Sequence, residues 1–307
     1  MILLWGISQD RPLTLVREAL ERRGASVFFL DQMLAAQTEI DLNVGANVEG
    51  AIRIGENTCS LEAISAVYVR CYDSRSLPFA GATDQMNDAR HHAPGLDDLI
   101  VSWLGVTQAL VVNPFSAMSS NNSKPYQLSL IDKAGFAVPD TLLATDAEAV
   151  REFWEHHGEI IYKSVSGVRS IVSRLKVEDM NRLEDIRWCP TQFQQYIPGR
   201  DYRVHTVGDE IFACEVVSEA DDYRYGGREG HEVELRPHQL PSDCADTCRM
   251  LAASLGLFVS GVDLRRTPEG EWYCFEVNPS PAFSFYEAAT HQPIADAIAA
   301  LLASGRP

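Results

Sequence analysis

The stretch GVDLRRTPEGEWYCFEVNPSP, residues 261–281, decides how the rest of the chain is read. Two apolar runs of strand length flank Pro268-Glu269-Gly270, so the spacing predicts an antiparallel hairpin of residues 260–266 and 271–278. Asp263 interrupts the first run between Val262 and Leu264. Glu276 sits between Phe275 and Val277, and Asn278 follows two positions later. Residues i and i+2 of a strand share a face, so Glu276 and Asn278 point together and Asp263 faces them from the neighbouring strand. Carboxylates set among apolar neighbours need a partner. Two carboxylates and an amide oxygen on one face form a hard, all-oxygen site, suited to Mg²⁺ that still takes phosphate oxygens. The plainer alternative, an acidic strand facing solvent, fits the apolar flanks poorly.

Outward from this hairpin, the first third of the chain has a different rhythm. Residues 2–7 (ILLWGI) read as a strand, Leu13 to Arg23 repeat apolar residues at helical spacing before Gly24, and Ser26 to Leu30 read as the next strand. Strand, helix and strand joined by short connections favour a parallel sheet. Residues 41–64 suggest a small antiparallel excursion around Gly45, Gly50 and Gly55, and Ala66 to Arg70 return to strand. Residues 74–95, with Pro78, Gly81, His91, His92 and Pro94, read as a loop entering a helix near Gly95. A boundary falls near Asn113-Pro114. Beyond it, helices are expected over 124–134 and 146–157, with Asp146 as cap, and over 242–255 and 293–302. Strands are expected over 159–163, 192–197, 201–207 and 210–217. Residues 219–237 are charged, contain glycines and read as a loop.

The 307 residues carry 26 Lys and Arg against 43 Asp and Glu, a net charge of −17. That balance argues against nucleic acid as a partner, because sequence-independent affinity for phosphate backbones needs clustered positive charge. The start, MILLWGISQDRPL, lacks a basic region before its short apolar run, and no uncharged stretch has the length of a membrane span. Seven cysteines without a Cys-x-x-Cys pair fit buried thiols in a reducing cytoplasm.

Against this acidic background the isolated lysines carry information. Lys163 closes the apolar strand EIIYK and is followed by SVSGVRS, a small, hydroxyl-bearing turn whose amides can approach phosphate. Lys124 stands in NNSKPYQ. Each taken alone reads equally as a solvated lysine. No Gly-Lys-Ser/Thr loop and no Gly-x-Gly-x-x-Gly occurs, and no Ser-His-Asp or Cys-His set stands out.

In order, Asn113, SKPYQLSLIDKAGFAVPDT, EIIYK, QFQQYIPGRDYRVHTVG, GVDL and FEVNPSP resemble the ATP-grasp superfamily. The nearest branch is that of the ribosomal-protein-S6 glutamate ligase and the graspetide-forming peptide maturases. The resemblance runs from about Asn113 to the C-terminus. It implies an α/β (α+β) fold with an N-terminal parallel-sheet domain, 1–112, and an ATP-grasp domain, 113–307, whose lobes 113–195 and 196–307 clamp ATP. Lys124 and Lys163 would contact ATP phosphates. Gln194, Gln195, Tyr196 and Ile197 would form the hinge that reads adenine, and Asp201 would lie near the ribose. Arg203 would sit close to the transferred phosphate or the acyl substrate, with Arg224 or Arg228 as a further phosphate-binding arginine. Asp263, Glu276 and Asn278 would hold Mg²⁺, as two ions, with Mn²⁺ as an alternative. Without the resemblance, Arg203 reads as half of a surface ion pair and Asp201 as a turn residue.

The implied activity is ligation of a carboxylate to an amine, or to a hydroxyl, through an acylphosphate, with release of ADP and phosphate. The substrate would be a carboxylate-bearing small molecule or a peptide, and a homo-oligomer stays open. A small-molecule kinase on the same fold is the alternative. The N-terminal strand AVYVR, ending in Arg70, also resembles the maturases, and Arg70 is placed either toward the cleft between domains or at an exposed strand end. After the metal ligands, NPSPAFSFYEAATHQPIADAI replaces the Gly- and Trp-bearing continuation of the maturases, beside the acceptor site.

Overall fold

The computed structural model describes residues 1–79, 83–165, 172–218 and 233–305, with the backbone alone for 83–87 and 122. In chain order the first region runs β1 (Ile2–Gly6), α1 (Arg11–Arg22), β2 (Val27–Asp31), β3 (Thr38–Val44), β4 (Val48–Ile54), β5 (Asn57–Ser60), β6 (Ala66–Val69), α2 (Thr83–Leu104) and β7 (Leu110–Val112). A second group follows: α3 (Lys124–Lys133), β8 (Thr141–Ala144), α4 (Ala147–His157), β9 (Ile160–Ser164), β10 (Ser173–Arg174) and β11 (Thr191–Gln195). The last group is β12 (Arg200–Val207), β13 (Glu210–Val217), β14 (Glu234–His238), α5 (Ser242–Ser254), β15 (Val259–Arg266), β16 (Trp272–Asn278), α6 (Ser284–Thr290) and α7 (Ile294–Ser304).

The first sheet is parallel, in the order β2-β1-β6-β7. Its strands read as unbroken apolar runs because both faces are covered. Ile2 and Leu4 face a core shared with α1 and α7, whereas Leu3 and Trp5 face Ile52 and Trp103 on the other side. Asp10 starts α1 by accepting the Leu13 amide at 2.8 Å, and Gly24, with φ of 68°, turns the chain out of it. The core on the α7 side continues through Val207, Phe212, Val259 and Phe283. The last helix therefore wedges the first sheet against the last one.

The other two larger sheets are antiparallel: β10-β9-β11-β8, and β14-β13-β12-β15-β16. In the first, Ile160, Tyr162 and Phe193 pack with Val150 and Leu183 on one side. The opposite face, with Leu143 exposed, receives no such cover from this lobe. Helix α3 packs with α5 on the five-stranded sheet, where Ile131 meets Val204, Val262 and Val277.

Most expected elements are found, the excursion over 41–64 as β3-β4-β5 and the decisive hairpin as β15-β16. Two loops are corrected. Residues 74–95 are largely helical, since α2 begins at Thr83 and carries Pro94 inside it. An interior proline costs a helix about 3 kcal/mol or more, but Ala89, Ala93, Leu96, Ile100 and Trp103 recur at helical spacing and are all buried. Tertiary burial outweighs the local breaker. Of residues 219–237, 219–232 lie outside the described residues, and the end is strand, with β14 paired to β13. Helix α6 was not expected at all. Every cysteine is a free thiol and five are buried, Cys189 alone being exposed. Among the described residues, no helix is long and apolar enough to cross a membrane.

Candidate active site

The hairpin register puts Asp263 directly opposite Glu276 and Gly261 opposite Asn278. The register then shifts between Asp263 and Leu264, which pairs with Cys274, so that Phe275 is an extra residue in β16. Cys274 and Val277 both face the core, three positions apart. Simple alternation from Cys274 would carry Glu276 inward as well. The bulge re-aims it to the polar face, the usual service of such an insertion. For that reason Glu276 lacks one of the two buried neighbours its sequence context suggested: Val277 is buried and Phe275 only partly.

Each carboxylate meets a cation. Lys124, the first residue of α3, places Nζ 2.5 Å from Glu276 Oε1 and 2.9 Å from Asn121 Oδ1. Arg203 of β12 lies opposite Asp263 in register and donates from Nη1 to Oδ1 at 2.6 Å. Next along the same strands, Arg265 grips both oxygens of Asp201, at 2.6 and 2.8 Å, and donates to the Ile197 carbonyl at 2.8 Å. Three carboxylates and three cations thus balance across one face of the five-stranded sheet. Arg203 is neither a surface pair nor tied to Asp201; it is 6% exposed. Its guanidinium lies over Gly261, where a Cβ would overlap it, and beside the Tyr286 ring. Its Nε lies 3.5 Å from His205 Nε2. Burial, and then the charge of Arg203, hold the His205 imidazole well below its ordinary value, so it stays neutral.

The strand end bearing Glu276 and Asn278 is clasped from behind. Gln127 of α3, one turn from Lys124, donates to the Val277 carbonyl at 2.8 Å and accepts from its amide at 3.1 Å. Leaving those two buried backbone groups unpaired would cost about 1–3 kcal/mol each. Asn113 donates to the carbonyls of Val259 and Pro279, both at 2.6 Å, and accepts from the Phe258 and Val259 amides. Arg70 is buried rather than at an exposed strand end. Burial pushes the Asp10 carboxyl upward, but hydrogen bonds and charge from Arg70, with help from Leu13 and Tyr72, leave it below its usual value.

The four-stranded sheet supplies the remaining residues. Lys163 of β9 pairs with Gln192 of β11, and Gln194 pairs with Ile161. By alternation these four share the face that the lobe's own core leaves uncovered. Gln194 donates to Thr141 Oγ1 at 2.9 Å. Among the described residues, Gln192 Oε1 is the one buried side-chain oxygen or nitrogen with no hydrogen-bond partner. In the connection to β12, the Gln195 amide donates to Asp140 and the Tyr196 amide to Glu159. Arg174 lies over the Tyr196 ring, 3.9 Å from its centroid.

The structure therefore brings Lys124, Asp201, Arg203, Asp263, Glu276 and Asn278 together on one sheet. It puts Lys163 and Gln194 on another, with Gln195 to Ile197 between the two. Arg224 and Arg228 lie outside the described residues. Sequence reasoning missed Gln127, Gly261, His205 and the orphaned oxygen of Gln192. Of these, Gln127 had a signal, standing three residues after Lys124 on the same helical face. Among the described residues, no three His, Cys, Asp or Glu side chains gather as a metal group. A divalent ion would take Asn278 as its third protein donor, and this all-oxygen set fits a hard cation in kind.

Known proteins share both sequence and architecture with this chain. Residues 121–302 match the model of the RimK-like ATP-grasp domain. The alpha-aminoadipate–LysW ligase LysX of Sulfurisphaera tokodaii is 27% identical over 184 residues, 56% of this chain and 64% of that protein. The chain thus spans under two thirds of this relative's length. The macrocyclase MdnC of Microcystis aeruginosa, solved with its precursor peptide MdnA, superposes with a TM-score of 0.80 at 25% identity, covering 98% of each chain. The ATP-grasp ligase PsnB, solved with a variant of its minimal precursor, Mg and ADP, gives 0.80 at 26% identity, over 99% of this chain and 98% of that one. With the match covering more than half of its length, the chain belongs to the RimK-like ATP-grasp family.

Proposed function

We propose that the chain is an ATP-dependent ligase that joins a carboxylate to an amine, or to a hydroxyl, through an acylphosphate, releasing ADP and phosphate. The observation that carries this reading is the direct opposition of Asp263 and Glu276, each neutralised by its own cation, with Asn278 on the same face. Asp263, Glu276 and Asn278 would hold Mg²⁺, as one ion or two, and Mn²⁺ has the same preference for oxygen donors. When bound, the ion neutralises phosphate charge as it develops during transfer.

The chain's own residues do the rest. Lys124 and Arg203 bring positive charge beside the carboxylates they now neutralise, where the transferred phosphate oxygens would lie. Lys163 offers the same from the other sheet, and Arg224 or Arg228 is a candidate for a further contact. With the Gln195 and Tyr196 amides already donating within the protein, adenine reading would fall to the Gln195 carbonyl and the Ile197 amide. Asp201, oriented by Arg265, would meet the ribose. No protein nucleophile is needed: positioning and charge neutralisation carry the reaction. The solved relatives named with precursor peptides support a peptide substrate, and the LysX name supports an amino-acid-like one.

Incubation of the full chain with Mg-ATP and a panel of acidic peptides and amino acids tests the reading. ADP, phosphate and a product lighter than the summed substrates by one water are expected. AMP with pyrophosphate would sink the mechanism, and a stable phosphorylated product would establish the kinase alternative.

A further inference from the structure

Three buried polar side chains, each from a different element, grip alternate residues of one short segment. Gln127 of α3 holds both backbone groups of Val277. Asn113, just after β7, holds the carbonyl of Pro279. Arg70, at the end of β6, donates from Nη1 to the Pro281 carbonyl at 3.1 Å and to Ser280 Oγ at 3.2 Å. Its Nε and Nη2 meanwhile grip both oxygens of Asp10, at 2.9 and 3.0 Å. The odd-numbered residues of 277–281 are held from behind, and Glu276 and Asn278 are the even-numbered ones that face the site. Two of the three grips come from the helix and the connection beside the site; the third reaches across from the first domain.

A structural ion pair needs only Asp10. Arg70 spends its remaining nitrogen on a backbone 211 residues away in sequence, immediately after the proposed metal ligands. The planar guanidinium can hold the carboxylate with one edge and the strand end with another, a division that the point charge of lysine cannot reproduce. We infer that Arg70 is a positioning residue for the divalent-ion site, coupling the first domain to the strand end that presents Glu276 and Asn278. This rests on the ligase reading above and deepens it: the first domain contributes to ion affinity without touching the ion. Partners that orient metal ligands from outside typically change metal affinity by about 10- to 100-fold when removed.

The test is equilibrium binding of a non-hydrolysable ATP analogue to the full chain, titrated with Mg²⁺ and repeated in EDTA. Arg70→Gln should raise the Mg²⁺ concentration needed for half-maximal tightening by roughly tenfold, while affinity in EDTA stays within about twofold. Arg70→Lys should not restore the original curve, and the surface variant Arg17→Gln should leave it unmoved. A merely structural role would lower the thermal midpoint of Arg70→Gln yet leave the Mg²⁺ curve of the folded variant in place, and that result overturns the inference. Should Arg70→Gln fail to fold, Ser280→Ala removes one of its bonds and leaves the Asp10 pair intact. A rightward shift of about two- to fivefold is then expected, and no shift overturns the inference. Absence of any Mg²⁺-dependent binding in the unaltered protein would overturn the ligase reading itself. Normal binding there, with unshifted variants, overturns this inference alone.

Discussion

The five-stranded sheet holds its share of the proposed site already paired: Lys124 on Glu276, Arg203 on Asp263, Arg265 on Asp201. The four-stranded sheet offers Lys163, Gln192 and Gln194 on a face its own core leaves bare, with one buried oxygen of Gln192 unsatisfied. The contrast is between a pole assembled in advance and a pole that a ligand would complete. Preorganised charge costs nothing to arrange at the moment of reaction, and it suits the end of the site where phosphate moves. A less committed face suits the end that only has to grip and release.

That contrast can be broken at either pole. The largest effect is expected from Glu276→Ala, which should lower ATP turnover at least about 10³-fold. Its side chain is 23% exposed and the pair with Lys124 is partly solvated, so unfolding stability should shift by no more than about 1 kcal/mol. Steady-state kinetics alongside chemical denaturation checks both, and surviving turnover would remove Glu276 from the metal set. At the other pole, Lys163→Met should raise KM for ATP about tenfold with kcat little changed, the pattern of lost ground-state binding. A collapse of kcat at constant KM would mean that Lys163 belongs with the prearranged pole.

The smallest effect sharpens the comparison through pH. His205 is neutral in the folded protein, held below its ordinary value of 6.5 by burial and by Arg203. Below that pH the unfolded chain takes up a proton that the folded one refuses, so the stability associated with this group is present above it and lost as pH falls. Relative to His205→Gln, the unaltered protein should lose stability below pH 6.5 at up to about 1.4 kcal/mol per pH unit. Parallel stability–pH curves for the two would show that His205 is not held neutral.

How much of this could be read from the chain alone follows from the range of the interactions. The hairpin, the shared face of Glu276 and Asn278, and the lysine at the end of β9 are local patterns of period two, and they were legible. Helix α2 was not, because Pro94 and the paired histidines are strong local signals whereas the burial of Ala89, Ala93 and Leu96 is decided by elements elsewhere. Arg203 was legible by resemblance, but its seat over Gly261 depends on a cross-strand register that no single strand encodes. The grip of Arg70 on Asp10 and Pro281 joins three distant segments and leaves no local trace. Interactions within an element announce themselves; those between domains must be seen folded.

The extra residue at Phe275 has a consequence for descent. Most positions in a strand tolerate replacement better than insertion or loss, because a change in length inverts the side chains that follow. Here the inversion is already built in. A lineage that lost this one codon would regain an ordinary ladder and turn Glu276 and Asn278 into the interior in a single event. Drift by substitution can reshape the substrate end of this protein, but the length of β16 between Cys274 and Val277 is closed to it.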